Sequence, residues 1–142
     1  MIWKQTFTVE GLNQFSADTL LDTIGIEFTG SGDDYLVARM PVDKRTFQPF
    51  RLLHGGASVA LAESLGSTAS MLCLEDIEAY QAVGLEINAN HLKSARGGFV
   101  IGTARPVRLG RRIHVWNIEI RDEQDSLICV SRLTMAIIQK SA

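Results

Sequence analysis

Apolar positions change their period after the longest apolar stretch of this chain of 142 residues. Between Ala57 and Cys73 they fall on several sides of the segment: Val59, Ala60, Leu61, Ala62, Leu65, Ala69, Met71 and Leu72. That spacing predicts a helix of about 19 residues, about 28 Å long, and a helix without a clean polar face is usually buried. Past the polar stretch 75–80 the period becomes two. Val83, Leu85, Ile87 and Ala89 alternate there with Gly84, Glu86, Asn88 and Asn90, which predicts a strand. Further strands are expected over residues 99–107, 113–120 and 127–138, set off by turns at 96–98, 109–112 and 121–126. Upstream, residues 8–15 read as a short helix capped by Thr8 and residues 18–22 as another helical turn. Two strands come next, 26–29 and 35–40, joined by the turn-rich 30–34. The expected architecture is α+β: one domain spanning 1–142, an antiparallel sheet curled around one long helix.

The long helix opens from a loop of unusual chemistry, Gln48-Pro49-Phe50-Arg51-Leu52-Leu53-His54-Gly55-Gly56, and carries a single carboxylate, Glu63. An unpaired buried charge is costly, so a lone acid there needs a partner, a shifted pKa or a chemical role. At helical spacing Glu63 shares a face with Gly66, Ser67 and Ser70. Small residues along the segment allow other backbone to approach closely. Ser67 is a candidate to hold Glu63 or a water; Ser70 reads as packing.

Composition narrows the field. The chain is 46% hydrophobic and 21% charged with a net charge of −2, a balance that argues against nonspecific nucleic-acid binding. No apolar run approaches the roughly 18–20 residues of a membrane span. The first residues lack the apolar stretch of a signal peptide, which makes the cytoplasm the expected location. Cys73 and Cys129 sit in apolar segments without pairing or zinc-type spacing and read as free thiols. The three histidines, His54, His91 and His114, show no short metal-ligand spacing, so no metal is expected.

Three stretches taken together, 48–56, Ala62-Glu63-Ser64-Leu65-Gly66-Ser67 and 83–91, resemble the hotdog-fold acyl-CoA thioesterases. The likeness covers essentially the whole chain and is greatest to the branch of 1,4-dihydroxy-2-naphthoyl-CoA hydrolases and enterobactin-pathway proofreading thioesterases. It implies a long helix wrapped by an antiparallel sheet, assembled into homodimers and usually tetramers. It implies Glu63 as nucleophile or general base, Gly55 as the backbone donor on the thioester carbonyl, and Gln48 and His54 as positioning groups. Ser64, Ser67 and Thr68 become candidate substrate contacts. No cofactor is needed beyond the coenzyme A of the substrate. At position 51, where the pattern carries Gly, this chain has Arg51.

The residues themselves fit such chemistry. A thiolate leaves readily, so one carboxylate can suffice without a Ser-His-Asp triad, by direct attack or by activating water. Gly55 lies at a helix start, where free N–H groups and the helix dipole favour developing negative charge. Gly55 and Glu63 are eight residues apart, about 12 Å along one helix axis, too far to act on one carbonyl. If both act on one substrate, they come most simply from two subunits. His91 is a candidate substrate contact, with a structural role as the alternative. Between Glu86 and Glu119 there is no acid, while Lys93, Arg96, Arg105, Arg108, Arg111 and Arg112 fall there. Arginine suits the phosphates of coenzyme A, and Arg96 is the leading candidate. Two rival functions share these residues: a non-catalytic acyl-CoA-binding protein, and a hydratase or dehydratase of the same fold.

Overall fold

The computed structural model describes residues 1–141. Its elements run α1 (Val9–Phe15), α2 (Leu20–Thr23), β1 (Glu27–Ser31), β2 (Leu36–Pro41), α3 (Gly55–Leu72), β3 (Tyr80–His91), β4 (Phe99–Leu109), β5 (Ile113–Asp122) and β6 (Leu127–Gln139). The strands form one antiparallel sheet in the order β1-β2-β4-β5-β6-β3. This is the expected α+β hotdog architecture, with α3 as the long helix. Thr8 caps α1 by accepting the Gly11 N–H at 2.9 Å.

Alternation along the strands decides which side meets the helix. Strand β5 buries His114, Trp116, Ile118 and Ile120, and β4 buries Val100, Gly102 and Ala104. Opposite them α3 presents Ser58, Leu61, Ala62, Leu65, Gly66, Ala69 and Ser70, a stripe at the spacing of one helix face. Leu61, Leu65, Leu133, Trp116 and Ile118 are fully buried there. Each such side chain contributes roughly 1.5–3 kcal/mol relative to exposure.

Two expectations need correction. The helix is not buried all round: Val59, Ala60, Glu63, Ser64, Ser67, Thr68 and Met71 are only half-buried, so one stripe meets the sheet and the other face is partly open. The alternation in β3 also fails at one residue. The register passes from Gly84↔Met135 directly to Glu86↔Thr134, leaving Leu85 unpaired at an irregularity and 60% exposed, while Ile87 and Ala89 pack on the core. An extra residue of this kind bends the strand and re-aims the side chains beyond it.

The far end of the core holds a polar cluster that sequence reading took for packing. Ser70 is fully buried, and its hydroxyl accepts the Trp116 indole N–H at 2.7 Å and lies 3.0 Å from His114 Nδ1. Burial holds the His114 pKa below its ordinary value, favouring the neutral ring. Ser70→Ala should therefore cost about 1–3 kcal/mol by leaving the buried indole N–H without an acceptor. Urea denaturation measures it; a loss below about 0.5 kcal/mol would make the hydroxyl dispensable.

Candidate active site

The start of α3 is built by its cap. His54 has extended backbone, and its Nδ1 accepts the Gly56 N–H at 2.8 Å. A ring nitrogen that accepts carries no proton, so the neutral ring presents Nε2–H outward as a donor. The His54 N–H is bonded to the Thr46 carbonyl, and the N–H groups of Ala57 and Ser58 reach the His54 carbonyl. The Gly55 N–H is left without a protein acceptor among the described residues. Beside it stands His91, from the end of β3. A Cβ on Gly55 would lie 2.9 Å from His91 Nε2, so glycine is what allows the ring to pack on the helix start.

The preceding loop is tied by its own residues. Gln48 takes the Arg51 N–H on its carbonyl at 2.9 Å and gives its N–H to the Leu52 carbonyl at 2.8 Å. Its side-chain Oε1 accepts the Phe50 N–H, which leaves the amide NH2 as the outward donor. The turn sets Arg51 at φ 64°, a left-handed conformation that costs a residue with a Cβ roughly 1–2 kcal/mol. A recess of about 380 Å³ opens between this loop and the 92–95 segment, lined by Gln48, Leu53, Gly55, Ser58, His91 and Lys93 among others.

Glu63 lies elsewhere, two turns along α3, half-buried against the backbone of β3. A Cβ on Gly84 would come 2.7 Å from its Oε1 and about 4.0 Å from Met135 Sδ. It has no ion-pair partner among the described residues. The Ser67 hydroxyl, one turn on, points to Met135 Sδ at 3.7 Å rather than to Glu63. Within one chain, then, Gln48, Gly55 and His91 converge with His54 capping their helix. Glu63, Ser64, Ser67 and Thr68 form a second group further down α3.

The basic residues do not form one patch. Arg105 pairs with Asp34 at 2.9 Å and lies over the Tyr35 ring, and Lys93 reaches Asp122 and Ser126. Arg111 and Arg112 line a larger cavity of about 720 Å³ with Cys73, Tyr80 and His114, at the opposite end of α3. Burial pushes the Cys73 thiol up to about 11, so it stays protonated near neutrality. Among the described residues no group of three His, Cys, Asp or Glu gathers to hold a metal ion. No helix there is long and apolar enough to cross a membrane.

Sequence reading missed Gly84, Met135 and Ser58. Packing of α3 on β3 and β6 brings Gly84 and Met135 beside Glu63 and Ser67, and Ser58 lines the recess one turn after Gly55. The local signal was a glycine inside a strand pattern.

This fold, with a capped glycine helix start and a lone carboxylate on the same helix, defines a class. The Thioesterase superfamily pattern matches residues 50–129, and the chain belongs to that family. It is similar to the 1,4-dihydroxy-2-naphthoyl-CoA hydrolase of Escherichia coli, at 55% identity over 97% of this chain and 100% of that protein. It is also similar to the proofreading thioesterase EntH of Cronobacter turicensis, at 51% identity over 97% and 99%. The crystal structure of a Haemophilus influenzae thioesterase superposes with TM-score 0.94 at 54% identity, over 98% of this chain and 96% of that one. The protein is a thioester hydrolase.

Gly84→Ala would place a methyl group where the Glu63 carboxylate now rests. Thioester turnover should fall by about 100-fold, the scale of a 1 Å misplacement, with the melting temperature nearly unchanged. Undiminished turnover would show that the position of the carboxylate does not matter to the reaction.

Proposed function

We propose that the protein hydrolyses acyl-CoA to the free acid and coenzyme A, at a site completed by two copies of the chain. Glu63 is the nucleophile or the base that activates water. The observation that carries this reading is the placement of Glu63: an unpaired, half-buried carboxylate beside Gly84 of β3, two turns from a helix start whose N–H has no acceptor among the described residues. The two cannot meet on one thioester within a protomer, because eight residues of helix separate them by about 12 Å.

Strand β3 offers the means of joining them. Among the described residues it pairs only with β6, so its other edge is open over twelve residues. A second copy pairing antiparallel along that edge brings the His91 end of one strand toward the Tyr80 end of the other. Each helix start then approaches the Glu63 face of the partner helix, and both half-buried faces become covered. In that arrangement the Gly55 N–H stabilises the developing oxyanion, an effect worth about 3–4 kcal/mol for one such donor. The outward amide of Gln48 and Nε2–H of His54 orient the thioester, His91 flanks it, and Ser64, Ser67 and Thr68 face the acyl group. The thiolate leaves with little help. An aromatic acyl group is favoured on the strength of the similarity to a naphthoyl-CoA hydrolase. Coenzyme A enters as part of the substrate, and the chemistry calls for no other cofactor.

Two measurements test this. Free thiol release from benzoyl-, hydroxybenzoyl-, short-chain and long-chain acyl-CoA should favour the aryl substrates. Glu63→Ala should lower kcat by about 10²–10⁴-fold; surviving turnover would move the chemistry to another residue. Separately, Leu85→Glu sets like charges against each other along the proposed seam. Size-exclusion chromatography should show a monomer, with activity lost alongside, and a fully active monomer would rule out the shared site.

A further inference from the structure

Two loops meet at the rim of the recess beside Gly55. The Leu53 N–H is bonded to the Ala95 carbonyl at 2.9 Å, and Phe47 and Leu53 are bridged across the first loop. The tie joins two loops by their backbones, one carrying Arg51 two residues before Leu53 and the other carrying Arg96 one residue after Ala95. Both arginines are exposed, and neither has an ion-pair partner among the described residues. Some other cations of the chain are engaged. Lys93 is held by Asp122, Arg45 by Asp43, and Arg121 by Glu119. Neither arginine has an acid near it in sequence: none lies between Asp43 and Glu63, and none between Glu86 and Glu119. At the β5–β6 turn, Glu123 accepts the Phe99 N–H at 2.6 Å and Asp122 holds Lys93.

Arg51 also stands where an arginine is unfavourable, in a left-handed conformation that glycine or asparagine would adopt more readily. Backbone strain of this kind, kept beside a site, points toward function. We infer that Arg51 and Arg96 together form a phosphate clamp for the nucleotide end of the coenzyme A thioester, making Arg51 a specificity-determining residue of this chain. The guanidinium fork matches phosphate oxygens bidentately, and two unpaired forks on tied loops match a ligand bearing a pyrophosphate and a 3′-phosphate. The pantetheine arm then runs from the clamp into the recess toward the Gly55 N–H. This inference rests on the acyl-CoA reading above.

The test compares one acyl group carried on coenzyme A, on 3′-dephospho-coenzyme A and on pantetheine, which has neither the pyrophosphate nor the 3′-phosphate. Arg51→Asn removes the charge while tolerating the left-handed turn, and Arg51→Lys keeps a charge without the fork. The wild type should prefer acyl-CoA to acyl-pantetheine in kcat/KM. In Arg51→Asn that preference should shrink about tenfold, through KM for the phosphorylated substrates. Arg51→Lys should recover part of it, and the salt dependence of KM for acyl-CoA should flatten in Arg51→Asn. The dephospho substrate reports whether the 3′-phosphate or the pyrophosphate is held. An equal loss on acyl-pantetheine would make Arg51 a loop-shaping residue and overturn the clamp, and so would an unchanged preference. A wild type that hydrolyses acyl-pantetheine as well as acyl-CoA would remove the clamp and leave the thioesterase reading standing. A wild type that hydrolyses neither would remove the reading beneath it.

Discussion

The packing of one stripe of α3 into the inner face of the sheet is the constraint on which the other features depend. Leu61, Leu65 and Ala69 are fully buried against strands whose own buried residues include Trp116, Ile118 and Leu133, and dense interiors of this kind leave little freedom to shift. With that stripe fixed, the rotation and axial position of the helix are fixed too. The Gly55 N–H must then emerge beside His91, and the Glu63 carboxylate must meet the backbone of β3 where Gly84 has no side chain. The placement of both groups is a by-product of how the core is keyed.

Much of this was legible in the chain because it is local. The glycine pair after His54 and the end of periodic small residues near Cys73 bracket α3 (Gly55–Leu72) closely. The turn residues separate β4, β5 and β6 as expected. What escaped was set by partners distant in sequence. Alternation grouped Leu85 with Val83, Ile87 and Ala89, but the register irregularity between Gly84 and Glu86 breaks that group, so that Ile87 and Ala89 pack on the core while Leu85 is exposed, and nothing in the alternation itself announces that. The Ser70 hydroxyl looked like a spacer between helices. Only the arrival of Trp116 and His114, more than forty residues away, makes it an acceptor in the core.

The charged residues teach a related lesson. A long run without acids reads as one basic surface, yet β4 and β5 carry it from one end of α3 to the other. Arg105 is spent on Asp34 and Tyr35, while Arg111 and Arg112 border a different cavity. Clustering in sequence along antiparallel strands is not clustering in space. His54 shows the reverse, since its neighbours in sequence decide its state: by accepting the Gly56 N–H it is fixed as a donor at its other nitrogen.

The open edge of β3 carries a burden apart from any reaction. A free strand edge twelve residues long, with Leu85 standing out from it, is a template onto which any extended segment can add. Covering that edge with a defined partner removes the template. Solubility alone would then favour a fixed pairing of this strand, and a substitution that loosened it would register first as aggregation in a crowded solution, before any loss of rate was noticed.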